Sequence, residues 1–194
     1  MVERHQTLFR ICKTYGVDIR EVASLNRIMD HSRIQMGQRI FIPGASRVLN
    51  VEVYIEDVVE ESIHQEKVAY KRPNFIWPVE GKLSAVFDET ESKMHKGIDL
   101  SALAGTPIKA SGPGKAIYSG NTIRGYGNLI ILRHSEEYVT IYAHNEVNLV
   151  EEGDWVERGQ IIGRVGQTGR ATGPHLHFEI RKNNKAVDPL LFLK

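Results

Sequence analysis

Cys12 is the sole cysteine, so no disulfide can close within the chain and no cysteine-rich metal knot exists. No apolar run approaches the roughly eighteen residues that a helical membrane crossing needs. No signal peptide opens the sequence; either the chain stays inside the cell or an export segment lies upstream, and the residues described below favour the second. Charge of one sign is also missing. Lys+Arg 25 against Asp+Glu 24 gives a net charge of +1, which argues against a nucleic-acid binder working through a basic surface. What remains is a chain of 194 residues, 41% hydrophobic and 25% charged, enough for one mid-sized domain with a small companion.

The most informative stretch is Gly173-Pro174-His175-Leu176-His177-Phe178-Glu179-Ile180. Gly-Pro breaks regular structure and the residues after it alternate, which predicts a turn running into a strand. Alternate side chains of a strand share a face, so His175 and His177 project together from Cα atoms about 6.6 Å apart. Leu176, Phe178 and Ile180 face the other way and can be buried. Two further fragments carry similar chemistry, His95-Lys96-Gly97-Ile98-Asp99 and Tyr142-Ala143-His144.

Residues 1–44 read as a separate unit. Thr7 can cap a helix with apolar positions Leu8, Ile11, Cys12 and Tyr15, which Gly16 ends. Asp18 caps a second helix, Glu21 completing a capping box, with Ile19, Val22 and Leu25 as its inner stripe and Asn26 as a left-handed stop. Gln38 to Ile42 alternate as a short strand ended by Pro43, and its companion has to come from Val2 to His5. This segment resembles the LysM module, a βααβ glycan-binding domain, through Thr7-Leu8, Tyr15-Gly16-Val17, Leu25-Asn26, Ile34 and Gly37 to Pro43. The resemblance implies that N-acetylglucosamine-type sugars bind between two loops, with Thr7, Leu8, Asn26 and Ile34 as the candidate glycan-binding residues. His5-Gln6 stand where the family has Gly-Asp. Cys12, on the apolar helix face, reads as core.

Residues 45–74 form a connector. Val51, Val53 and Ile55 alternate there as a strand would, and so many β-branched residues predict a segment packed on a neighbour rather than a loose tether. From Phe75 to the end, short alternating runs broken by glycines predict antiparallel sheet. Leu129–His134 and Tyr138–His144 are two such runs joined by a hairpin turn; in the second, Tyr138, Thr140, Tyr142 and His144 share one face. His134 reads as a strand-end residue. The segments starting at Gly105 and Gly153 echo one another in the rhythm of hammerhead-like β folds. The fold class expected is therefore α+β, a small βααβ module followed by a mainly antiparallel sheet domain.

His95 and Asp99 are close enough in sequence to reach one ion, and imidazole and carboxylate are ligands that Zn²⁺ accepts where no thiolate is offered. One histidine of the His175/His177 strand completes three ligands and leaves a fourth tetrahedral position open, the catalytic arrangement. The other strand histidine and His144 then flank that position, able to move protons near neutral pH. Residues 75–194 resemble the lysostaphin-type (LytM-like) zinc endopeptidases, a family that cuts peptidoglycan. The matching stretches include Trp77 to Gly81, His95 to Leu100, Gly125 to Asn128, Tyr142 to His144, Gly159 to Gly163, Gly166 to Gly169 and Thr172 to Glu179. The resemblance implies His95, Asp99 and His177 as zinc ligands and His144 and His175 as the catalytic pair, His175 as general base and His144 as oxyanion donor or the reverse. Two departures are Asn145, where Leu is usual, and Phe87-Asp88, where Phe-Gly is common.

The function expected is a zinc-dependent endopeptidase of the cell envelope, periplasmic or extracellular, that cuts peptide stems or cross-links of peptidoglycan. The LysM module raises local concentration by holding the glycan. Some members of the family have lost ligands and act only as amidase activators, so a non-catalytic regulator with amidase or cell-division partners is the alternative; a phosphohistidine carrier, with no use for His95 and Asp99, is the third. Family members also exist whose upstream segment covers the zinc, and here His64 and Asn74 have the donor atoms for that.

Overall fold

The computed structural model describes residues 1–29, 34–55, 75–90 and 94–194. The chain divides into two compact units, Met1–Glu61 and Ser62–Lys194. His64 and Asn74 lie outside the described residues. Among those described, no helix is long and apolar enough to cross a membrane.

In the first unit, α1 (Leu8–Tyr15) starts where the Thr7 hydroxyl accepts the Arg10 N–H, and stops at Gly16, whose φ of 67° is left-handed. The helix α2 (Ile19–Leu25) starts at Asp18, whose carboxylate accepts the N–H groups of Arg20 and Glu21. Leu8, Cys12, Val22 and Ala23 form the buried centre. The inner stripe of α2 therefore turns through Ala23, one step round from the expected Leu25, which is exposed. Its end differs too: Asn26 has φ −98°, and the left-handed residue is Arg27 at 56°. Neither Gln38 to Ile42 nor Val2 to His5 forms the expected strand; the two stretches meet only where the Val2 N–H donates to Gln38 at 2.9 Å and its carbonyl accepts from Gly37 at 2.8 Å. The start of the connector packs here, with Val51 beside Val2 and Ile11 in a second small cluster.

The second unit is one antiparallel sheet of ten strands. They are β1 (Lys82–Ala85), β2 (Ile98–Ser101), β3 (Pro107–Lys109), β4 (Gly114–Gly120), β5 (Asn128–Arg133), β6 (Tyr138–Asn148), β7 (Trp155–Val156), β8 (Ile161–Val165), β9 (His175–Lys182) and β10 (Lys185–Val187). The main path runs β1-β2-β9-β6-β5-β4-β7. The echoing glycine segments pair with one another, through β3 with β8 and β4 with β7. Strand β6 is buried on both faces from Tyr138 to Ala143. The core gathers Ile98, Leu100, Tyr142, Leu176, Phe178 and Ile180 on one side of the central strands.

The domain closes on itself at Phe75. That residue bridges Leu193 in parallel, its carbonyl accepts the Lys194 N–H at 3.1 Å, and its ring meets the His134 ring edge-on at 4.8 Å. His134 directly follows β5, the strand-end position expected for it. It is buried, held by the Pro113 carbonyl and the Thr140 hydroxyl, each at 2.7 Å. Burial pushes its pKa down to about 4, against the Pro113 hydrogen bond that raises it.

Candidate metal centre and flanking histidines

Strand register brings the first pair of groups together. β2 and β9 run antiparallel with Asp99 directly opposite His177, so their side chains share a face while Ile98, Leu100, Leu176 and Phe178 fill the core behind. The approach is close enough that a β-carbon on Gly97 would run into the Phe178 carbonyl. His95 arrives from the preceding segment, fixed by reciprocal backbone bonds with Asp88 at 2.8 and 3.0 Å. Asp88 sits at ordinary negative φ, so the glycine common at that position is not needed here.

Three ligand atoms converge. Asp99 Oδ1 lies 2.8 Å from His177 Nδ1 and 3.1 Å from His95 Nε2, and the two nitrogens are 3.2 Å apart. The other nitrogen of each ring fixes its proton. His95 Nδ1 donates to the Val86 carbonyl at 2.8 Å, and His177 Nε2 donates to the Glu179 carboxylate at 3.1 Å. With His177 in the neutral tautomer that donates to Glu179, two lone pairs and a carboxylate oxygen face one another, a set that a metal cation satisfies and that a proton on His177 Nδ1 satisfies in its place. Tetrahedral zinc with bonds of about 2.0–2.1 Å sets its ligand atoms about 3.3 Å apart, so a few tenths of an ångström of relaxation fit this trio to it. Electrostatics agree. Burial lowers the His177 pKa, but its hydrogen bonds to Asp99 and Glu179 outweigh that and raise it to about 9. Asp99 is lowered despite burial, through the hydrogen bond and charge of His177. Among the described residues, His95, Asp99 and His177 are the group arranged to hold a metal ion.

His144 and His175 stand beside this trio with ring centroids 4.9 Å apart. His175 Nε2 is 3.8 Å from Asp99 Oδ1, and the His144 ring centroid is 6.0 Å from that of His177. Each gives its Nδ1–H to a backbone carbonyl, His144 to Thr168 at 2.7 Å and His175 to Gly173 at 2.8 Å. Each neutral ring is left with an acceptor Nε2. Burial, the largest influence, lowers the His144 pKa.

The placement of His144 departs from simple alternation, which puts it on the Tyr142 face. Ile130 pairs with Tyr142 but Asn128 pairs with Asn145, so Ala143 and His144 together oppose Leu129 alone. That is a β-bulge, and His144 takes φ 64° in it. The bulge turns the imidazole away from the core toward His175 and His177. Asn145, the unusual residue behind it, is buried, its amide donating to Tyr142 and Asn148. Two tight loops brace the arrangement: a β-carbon on Gly127, at φ 64°, would collide with Thr168, whose hydroxyl accepts the Asn128 N–H at 2.9 Å. The result is a cleft of about 420 Å³ lined by all five groups together with Met94, Lys96, Tyr126, Arg170 and Glu179.

Sequence reasoning gave the Glu179 carboxylate no partner, and it passed over Arg181. Period-two alternation from His175 was the available signal, since it puts both on the His177 face. In the first unit, Leu8 is fully buried, Thr7 is occupied as a cap, and Ile34 packs on both small clusters. The Asn26 side chain bonds both N–H and carbonyl of Phe41, at 2.6 and 2.7 Å. All four side chains are thus engaged within the first unit.

The family model for Peptidase family M23 matches residues 93–189 and that for the LysM domain matches residues 1–43. The chain is 39% identical to the uncharacterized lipoprotein YgeR of Escherichia coli over 201 residues, covering 99% of this chain and 79% of that protein. It is 45% identical over 117 residues to the murein hydrolase activator NlpD of E. coli, covering 60% of this chain and 30% of the activator. A solved peptidase M23 structure from Pseudomonas aeruginosa superposes with a TM-score of 0.60 at 34% identity, covering 68% of this chain and 56% of that one. The chain thus spans under a third of the activator's length and little over half of the solved chain.

Proposed function

The chain belongs to peptidase family M23, and from that premise we propose that it is a zinc-dependent endopeptidase cutting the peptide part of bacterial peptidoglycan, held on the glycan by its LysM domain. One observation carries the reading: all five groups are present and converge, three with ligand atoms within 3.2 Å and two with acceptor nitrogens beside them.

His95, Asp99 and His177 would hold the zinc. When bound, the metal supplies Lewis-acid polarisation of the scissile carbonyl and acidifies the attacking water. The protein's own part is proton movement and placement. His175 Nε2, with its ring oriented by the Gly173 carbonyl, takes the proton of the water and returns it to the leaving amine. His144 can donate to the developing oxyanion only as an imidazolium, because its Nδ1–H is committed to Thr168. Its lowered pKa opposes that form, so His144 also suits the acceptor role. On the LysM side, the sugar would lie between the loops at Thr7 and Leu8 and at Asn26 and Ile34.

The 45% identity to a murein hydrolase activator favours a second reading, a non-catalytic regulator that uses the same cleft to engage an amidase. A chain kept for that purpose alone has no need of two proton acceptors beside a filled ligand set. Either way its work lies in the cell envelope, and the relative YgeR is named a lipoprotein. Metal analysis of purified protein, with release of peptides from purified peptidoglycan, tests the proposal. About one zinc per chain and cleavage abolished by chelator are expected; zinc-free protein that cleaves nothing while stimulating an amidase would establish the regulator.

A further inference from the structure

Glu179 lies outside the ligand trio, yet both its oxygens are engaged. It has no exposed surface. Its Oε1 accepts from the Tyr126 hydroxyl at 2.8 Å and from His177 Nε2 at 3.1 Å, while Oε2 accepts from Arg181 Nε at 2.8 Å. Each of these neighbours is a donor and Arg181 carries a positive charge, so the group they surround is placed to accept at both oxygens, as a carboxylate does. Tyr126 is anchored at its other end as well: its backbone carbonyl accepts the His144 N–H at 2.9 Å. A continuous path of hydrogen bonds therefore runs from the backbone of the bulge, through Tyr126 and Glu179, to the far nitrogen of His177.

We propose that Glu179 and Tyr126 are positioning residues, Glu179 fixing the tautomer of His177 that leaves Nδ1 to the metal, and Tyr126 tying that ring to the bulge that carries His144. The inference rests on the zinc reading above. A neutral imidazole has one N–H, and a carboxylate can only accept, so Glu179 draws that hydrogen to Nε2 and leaves the Nδ1 lone pair toward Asp99 and His95. Glutamine cannot do the same. Arg181 holds the amide oxygen, the NH₂ then faces Nε2, and the ring is driven to the tautomer with hydrogen on Nδ1, which cannot ligate. Tyr126 adds direction rather than charge: its hydroxyl and the imidazole share Oε1, so the ring plane is set from both sides.

The test uses the zinc-loaded full chain, with zinc affinity from chelator competition and the low-field His177 Nε2–H proton signal as readouts. Glu179→Gln is expected to weaken zinc about 10- to 100-fold and to remove the Nε2–H signal. Tyr126→Phe leaves the Glu179–Arg181 pair intact, so a smaller loss of roughly threefold to tenfold is expected, with the signal shifted but retained. The double variant should lose less than the sum, because both act through one ring. If Glu179→Gln does not fold, Tyr126→Phe decides: a shifted Nε2–H signal with weaker zinc supports the proposal, and parent values for both overturn it. A parent chain that takes up no zinc would instead overturn the metal reading, and this inference with it.

Discussion

Asp99 and His177 share a cleft with the two flanking histidines but are held by different means. They sit in register on regular strands, with the buried Glu179 carboxylate and the buried Arg181 beyond His177. His144 and His175 are aimed by backbone carbonyls, one from a bulge and one from a Gly-Pro turn. The difference teaches where each kind of rigidity comes from. Holding a metal would need fixed charge, and a paired sheet supplies that without moving parts. Moving a proton would need a fixed tautomer on an otherwise neutral ring, and one carbonyl per ring supplies that.

Separating the two sides is the strongest way to break this comparison. Asp99→Ala removes the charged ligand, so zinc and peptide cleavage should both be lost. His144→Ala and His175→Ala should retain zinc while cleaving roughly 100-fold or more slowly, the usual cost of a proton-transfer group. Zinc content and kcat/KM measured on the same preparations check the split. Loss of zinc from His144→Ala would show that the two sides are one unit.

A smaller effect sharpens the comparison by going to the buried histidine that serves neither side. The folded pKa of His134 lies below its unfolded value, so the stability it contributes is present above about pH 6.5 and is lost as pH falls toward about 4. The shift corresponds to about 3 kcal/mol at most. Trp77 and Trp155 both lie in the second unit, so their fluorescence follows its unfolding alone. Urea midpoints should fall between pH 7 and pH 4, and His134→Gln should flatten that slope even if it lowers stability at pH 7. An unchanged slope would mean that His134 is charged in the fold.

The smallest expected effect concerns the first unit. Thr7→Ala removes the cap of α1 and should cost about 1 kcal/mol there. Calorimetry of the full chain should show an earlier transition for the LysM unit, with zinc content and tryptophan unfolding unmoved. A shift in either of the last two would show that the cap stabilises more than its own unit.

Much of this was legible in the residues, and the exceptions have physical reasons. Alternation from His175 to Ile180 separates site face from core face, because Leu176, Phe178 and Ile180 are fully buried. Thr7, Gly16 and Asp18 mark the helix ends through local bonds that need no tertiary context. His144 was placed on the wrong face because a bulge adds one residue to a strand and leaves no periodic trace. Leu25 and Ala23 were exchanged because a seven-residue helix has too few turns for its stripe to be read with certainty. His134 follows the end of β5 as read, but its burial left no sign in the sequence, because Phe75, which packs on it, is distant in sequence and arrives only when the domain closes.

That closure gives the peptidase domain the topology of a ring. Phe75 and Leu193 are bridge partners, the Phe75 carbonyl accepting the Lys194 N–H, so these two segments meet under the same aromatic cluster. A circuit has no privileged starting point: rejoining it there and cutting it at an exposed turn would preserve every strand pair around the cleft. Such a domain can be spliced into a longer chain with both ends leaving through one doorway.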